Sequence, residues 1–129
     1  MLKPNHITIN VINMEKSLDF YGRILGLKQL ETVDMGDHTL YYFALSDGLS
    51  LELIEYRDDF GELRPNVKTR GIYRHLALQC DHVDELYRHL TENGVRCLSE
   101  PSDVPQLHFR NILAEDPNGV EIEFLEMKA

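Results

Sequence analysis

The sequence predicts an α+β fold made of two tandem βαβββ modules that form a curved mixed sheet. Three observations predict it: two histidine-led segments with strand alternation, an amphipathic helical stretch after each, and a glycine-turned hairpin closing each half. With 129 residues, 43% of them hydrophobic, the chain is long enough for one compact domain and too short for two ordinary ones. The expected organisation is a single domain over 1–129, with modules at about 1–57 and 72–129 joined by a polar connector at 58–71 that holds Gly61, Pro65 and Gly71.

The first module opens with His6-Ile7-Thr8-Ile9-Asn10-Val11 and the second with His75-Leu76-Ala77-Leu78-Gln79-Cys80. In both, apolar residues alternate with polar or small ones, so one strand face is buried. A helix follows each, with Leu18, Phe20, Tyr21, Ile24 and Leu25 as the apolar stripe in the first and Val83, Leu86, Tyr87 and Leu90 in the second. Asn13 and Asp81 are the expected N-caps, and Gly26 and Gly94 the C-terminal glycines. Extended segments are expected at Lys28–Val33 and Val95–Ser99. The first hairpin runs from Leu40 to Leu45, turns at Ser46-Asp47-Gly48 and returns along Leu49–Tyr56. Its counterpart runs from Phe109 to Ala114, turns at Asp116-Pro117-Asn118-Gly119 and returns along Val120–Leu125. Asp-Gly and Asn-Gly favour such turns because glycine accepts positive φ.

Charge and targeting signals narrow the function. Against 22 acidic residues stand 13 basic ones, and the net charge of −9 repels phosphate backbones and anionic lipid, so neither nucleic acid nor membrane is an expected partner. The chain has no run of about 18 or more apolar residues, and Met1-Leu2-Lys3-Pro4-Asn5 lacks the apolar core of a signal peptide, so a cytoplasmic location is expected. Two cysteines, Cys80 and Cys97, form no C-x-x-C pair, and reduced thiols are expected.

The repeat also singles out four side chains. Glu52 follows the turn glycine Gly48 at the same interval at which Glu123 follows Gly119, and His6 and His75 begin the equivalent first strands. Strand parity puts Glu52 on the face opposite Leu49, Leu51 and Leu53 and excludes Glu55, which shares the leucine face. Glu121 has the parity of Glu123, but its counterpart Ser50 is no carboxylate, so it ranks second. His6, Glu52, His75 and Glu123 are therefore the expected ligands of one divalent metal ion in a cleft, a mixed N/O set that suits zinc, nickel, cobalt, manganese or iron. An open coordination position would let the ion polarise a carbonyl while a carboxylate moves a proton. His38 and His108 are expected in turns, and His82 and His89 in or near the second helix, all at the surface.

These residues together resemble the vicinal oxygen chelate superfamily, which holds glyoxalase I, extradiol dioxygenases, fosfomycin-resistance enzymes and bleomycin-binding proteins. The resemblance is carried by His6 with Met14-Glu15-Lys16-Ser17-Leu18-Asp19-Phe20-Tyr21 and Leu25-Gly26-Leu27, by Leu51-Glu52-Leu53, by His75-Leu76-Ala77-Leu78, and by Glu115-Asp116-Pro117-Asn118-Gly119 running into Ile122-Glu123-Phe124. The His, Glu, His, Glu order is similar to that of glyoxalase I. That likeness implies a lactoylglutathione lyase-like metalloenzyme, an isomerase working on a small carbonyl substrate through a metal-bound enediolate, with Glu123 and Glu52 as catalytic carboxylates. It implies one ion per site, nickel or zinc first, with cobalt, manganese or iron also suited, and a homodimer. The alternatives are an iron-dependent extradiol-type dioxygenase and a non-catalytic antibiotic-binding protein. Two positions depart from glyoxalase I: Asn10 and Tyr56 stand where that family has an Arg and an Asn serving glutathione. Arg57, Lys68, Arg70 and Arg74 are the basic residues that could substitute.

Overall fold

The computed structural model describes residues 1–62 and 66–128, so Pro65 of the expected connector lies outside the described residues. The chain divides into two compact units, Met1–Glu62 and Leu63–Ala129, each with its own four-stranded mixed sheet. The α+β class and the βαβββ order of each half are as expected.

In the first unit β1 is His6–Asn10, the helix α1 is Met14–Leu18 and continues as a π-helical stretch over Asp19–Ile24, and β2, β3 and β4 are Gln29–Asp34, His38–Ser46 and Leu49–Tyr56. The strand order is β1-β4-β3-β2, with β1 parallel to β4 and the other pairs antiparallel. Asn13 caps α1 as expected: its Oδ1 accepts from the Lys16 N–H at 3.0 Å. The π-helical turns bury Phe20 and Tyr21, neighbours in sequence, with their rings edge to face at 4.8 Å. Gly26, at φ +74°, closes the helix.

That helix lies on the leucine face of the sheet, where Ile9, Phe43, Leu51 and Leu53 are buried and the Tyr21 and Phe43 rings are 6.2 Å apart. A β-bulge decides which residues join that face. Ser46 pairs with Leu49 across the Asp47-Gly48 turn, but the register shifts between Ala44 and Ser46, so Phe43 opposes Leu51 and Tyr42 opposes Glu52.

The second unit contains β5 (Leu76–Gln79), α2 (Val83–Glu92), β6 (Ser102–Val104), a 3-10 turn at Pro105–Leu107, β7 (Phe109–Glu115) and β8 (Glu121–Met127). Its order, β5-β8-β7-β6, repeats that of the first, with β5 parallel to β8. Leu76, Val83, Leu90, Ile112, Ala114, Ile122 and Phe124 make its core. Asp116 organises the β7–β8 turn: its Oδ1 accepts from the Asn118 and Val120 N–H groups, both at 2.8 Å, and Gly119 takes φ +80°.

Four local expectations are corrected. The N-cap of α2 is His82, not Asp81, and His82 makes no side-chain cap bond; instead Glu126 Oε1, from β8, accepts from the Val83 N–H at 2.9 Å. A carboxylate brought by tertiary packing thus does what the local signal assigned to Asp81. Val95–Ser99 is not a strand but a single bridge, Cys97 with Ala114, and the edge strand comes later, after Pro101 and its missing N–H. His75 falls just before β5 rather than within it. His38 begins β3 rather than sitting in a turn, and its Nδ1 lies 2.6 Å from Asp37 Oδ1.

Among the described residues no helix is long and apolar enough to cross a membrane. Leu53 is fully buried on the internal strand. Leu53→Ala should therefore lower the unfolding free energy by about 3 kcal/mol, measured as a fall in the urea midpoint with an unchanged slope.

Candidate functional site

Each sheet places its glutamate on the internal strand, flanked on both sides, and its histidine at the start of the neighbouring parallel strand or, for His75, just before it. In the first unit His6 opposes Ser50 and Thr8 opposes Glu52. His6 is therefore the diagonal same-face neighbour of Glu52, and its Nε2 lies 3.8 Å from Glu52 Oε1. Glu52 is 7% exposed, an unusual burial for a carboxylate, and both its oxygens accept hydrogen bonds. Thr8 Oγ1 donates to Oε1 at 2.9 Å, and the Tyr42 hydroxyl donates to Oε2. The carboxylate beside it holds the Tyr42 phenol against ionising and pushes its pKa up to about 12. His6 Nδ1 lies 2.6 Å from Asn5 Oδ1, an acceptor, while Nε2 faces Glu52.

The second unit repeats the pair with different supports. His75 Nε2 lies 3.4 Å from Glu123 Oε1. Ala77 and Leu113 oppose Glu123 where Thr8 and Tyr42 oppose Glu52, and neither can donate a side-chain hydrogen bond. Asn111, the diagonal neighbour on β7, supplies the donor instead, with Nδ2 2.7 Å from Glu123 Oε2. Glu123 Oε1 accepts no hydrogen bond among the described residues. Glu121, opposite the position of His75, is 8% exposed, ion-paired to Arg74, and has Oε2 3.8 Å from His75 Nδ1.

The structure thus pairs His6 with Glu52 and His75 with Glu123. Among the described residues, no three His, Cys, Asp or Glu side chains gather as a metal-binding group within either unit. Glu55, excluded by parity, is exposed, opposite Thr39. His82 and His89 are exposed on α2, and His108 follows the 3-10 turn with φ +59°. The two cysteines are free, and burial pushes both thiols up. Of the basic residues considered as anchors, Arg57 is paired with Asp34 at 3.1 Å and Arg74 with Glu121.

The second pair has the spacing of two ligands on a tetrahedral ion, and the first is a few tenths of an ångström wider. At bond lengths of about 2.1 Å, two ligands of one ion stand about 3.0 Å apart at a right angle and about 3.4 Å apart at the tetrahedral angle. The pairs are spaced 3.8 and 3.4 Å. In three of the four side chains the atom remote from the pair, His6 Nδ1, Glu52 Oε2 or Glu123 Oε2, is held by a neighbour, the orientation metal ligands need.

A cavity of about 770 Å³ opens in the first unit at the C-terminal ends of β1 and β4. Asn10, Ile54 and Tyr56 line it, continuing the His6 and Glu52 face by one side-chain repeat, roughly 7 Å along the strand. Among the described residues, Glu55, Asp58, Asp59, Glu62 and Arg57 are the charged ones that line it.

The sequence profile of the Glyoxalase/Bleomycin resistance protein/Dioxygenase superfamily matches residues 3–124. The chain belongs to that superfamily. A lactoylglutathione lyase of Neisseria meningitidis serogroup A is 30% identical over 128 residues, 96% of this chain and 90% of the relative. One from Escherichia coli O157:H7 is 28% identical over 125 residues, 95% and 91% of the two chains. Among solved structures of the superfamily, a glyoxalase/dioxygenase from Nostoc punctiforme is 28% identical with a TM-score of 0.80, covering 98% of this chain and 92% of its own.

Thr8, Tyr42 and Asn111 were not singled out by the sequence, and Arg74 was considered only as a substrate anchor. Thr8 and Asn111 were reachable from parity, but Tyr42 was not, because the bulge moves it into place. In the metal-free protein Tyr42 should ionise near pH 12, and Tyr42→Phe should remove that step from an absorbance titration. Because its folded pKa lies above the unfolded value of about 10, its contribution to stability is present below pH 10 and is lost as pH rises through 12.

Proposed function

We propose that this protein is a metal-dependent lyase or isomerase of glyoxalase I type, acting on a small substrate with adjacent hydroxyl and carbonyl carbons. The ligands of its one divalent ion are His6, Glu52, His75 and Glu123. The observation that carries the reading is the recurrence of a His–Glu pair at equivalent places in both units, 3.8 and 3.4 Å apart. Thirty per cent identity to a lactoylglutathione lyase over nearly the whole chain supports the same class.

Once bound, the ion supplies Lewis acidity that makes the carbon next to a carbonyl a stronger acid. The two carboxylates are suited to different work. Glu52 has both oxygens occupied by donors, which holds it in one orientation as a ligand. Glu123 is anchored by a single donor, on Oε2, so it is the carboxylate freer to shift and to take a proton from one carbon and return it to the next. Glu123 is thus the proton-transferring base and Glu52 the fixed one.

The cavity beside Glu52 bears on the substrate's handle. Glu55, Asp58 and Asp59 oppose the carboxylates of a tripeptide such as glutathione, and Arg57 beside them is paired with Asp34. The handle that suits this lining is a neutral or cationic thiol, in place of an anionic one. The two His–Glu pairs complete the site from one chain or from two copies of it in a homodimer.

Metal analysis of the purified protein should give about one divalent ion per site, and His75→Ala should lose it; equal trace metal in both proteins would sink the proposal. With methylglyoxal and a panel of thiols, turnover should be higher with neutral or cationic thiols than with glutathione. Glu123→Gln should lower kcat by about 100-fold or more while the ion is retained. Mixing His6→Ala with His75→Ala protein should restore one intact site per mixed dimer if the site is shared between copies, and no activity if each chain holds its own.

A further inference from the structure

Among the described residues, the buried His75 Nδ1 makes no hydrogen bond, and the buried Glu121 Oε2 is held by its ion pair with Arg74. They face each other at 3.8 Å, one a ring nitrogen able to carry a proton and the other a carboxylate oxygen able to accept it. The two atoms are complementary and belong to the same corner of one sheet. We propose that Glu121, clamped by Arg74, is the positioning residue of His75: it takes the Nδ1 proton and so presents Nε2 to the metal and to Glu123. The inference rests on the metal-site reading above.

The internal repeat supports it. In the first unit the residue before the histidine, Asn5, holds Nδ1 directly at 2.6 Å, and the strand position opposite His6 is the small Ser50. In the second unit the residue before the histidine is Arg74, a cation that cannot accept from a ring N–H. The acceptor has moved across to the neighbouring strand, where Glu121 replaces the serine, and Arg74 neutralises it. The two halves thus solve one problem, holding an imidazole by its far nitrogen, with different side chains. This also separates Glu121 from the ligand set: its carboxylate is at the back of the His75 ring, whereas Glu123 is at the front.

A carboxylate on the far nitrogen strengthens the imidazole as a ligand, and removing such a partner typically weakens metal binding by about 10–100-fold. Glu121→Ala should show that loss for nickel or zinc ion alone, read by competition with a chelator, while Glu121→Gln, which keeps an acceptor oxygen, should fall between. Ser50→Ala, at the equivalent place in the first unit, should bind as the unchanged protein does. Arg74 has a side chain 43% exposed and can turn to water when its partner is removed, so the variants should fold. Nitrogen-15 shifts of the His75 ring in the metal-free protein give a second readout. Its proton should sit on Nδ1 in the unchanged protein and move toward Nε2 in Glu121→Ala. Because that measurement needs no metal, it tests the pairing even if the chain were to bind none. Unchanged ring shifts in Glu121→Ala would overturn the proposal. So would metal binding that survives Glu123→Ala but not Glu121→Ala, which would make Glu121 a ligand.

Discussion

The internal strand of each sheet has to satisfy two opposite demands within one short segment. Leu51 and Leu53 in β4, and Ile122 and Phe124 in β8, are buried in their cores, while Glu52 and Glu123, set between them, face the other side. Only the two-residue period of an extended chain lets neighbours serve such different surroundings. A helix would put them on overlapping faces, and a register slip of one residue would bury the carboxylates and expose the leucines. Everything else in the unit protects that alternation: a strand on each side of the internal one, a helix against the apolar face, and donors waiting on the polar face.

The bulge in β3 shows how tight the constraint is. A plain hairpin continuing from Ser46 and Leu49 would set Phe43 beside Glu52, with an aromatic ring on the polar face and Tyr42 in the core. One extra residue reverses this. Phe43 joins Leu51 under the helix, and the Tyr42 hydroxyl reaches the carboxylate. The second hairpin keeps its register from Glu115 and Glu121 through Phe109 and Met127, and its glutamate is held by a diagonal asparagine. The halves therefore share a backbone plan without sharing the side chains that support it.

Much of this was legible in the sequence because it depends on periodicity and on glycine. The strands led by His6 and His75, the two helices, the turns at Gly48 and Gly119, and the face on which Glu52 lies all follow from local pattern. What was not legible came from residues distant in the chain. Asp81 looked like a cap, but no local signal announces that Glu126 takes the role across the fold. The Val95–Ser99 segment has strand composition, yet its pairing with β7 is limited to one bridge at Cys97, closed by the Leu98 N–H and the Arg96 carbonyl. The supports of the site divide in the same way. Thr8 and Asn111 follow once strand neighbours are known, whereas Tyr42 depends on a bulge that leaves no mark in composition, and Arg74 read as a substrate anchor until its partner was seen.

Glu126 has one more effect. It stands on the same strand as Glu121 and Glu123, and its carboxylate is fastened to the first turn of α2 through the Val83 N–H. The helix therefore works as a stop that indexes the strand: β8 cannot slide along its neighbours without releasing that bond. Length changes are tolerated differently on either side of the site. A residue added at the Asn118 turn is taken up in a loop, but one added between Glu123 and Glu126 would set the carboxylate and the cap out of step, and one of the two would have to be given up.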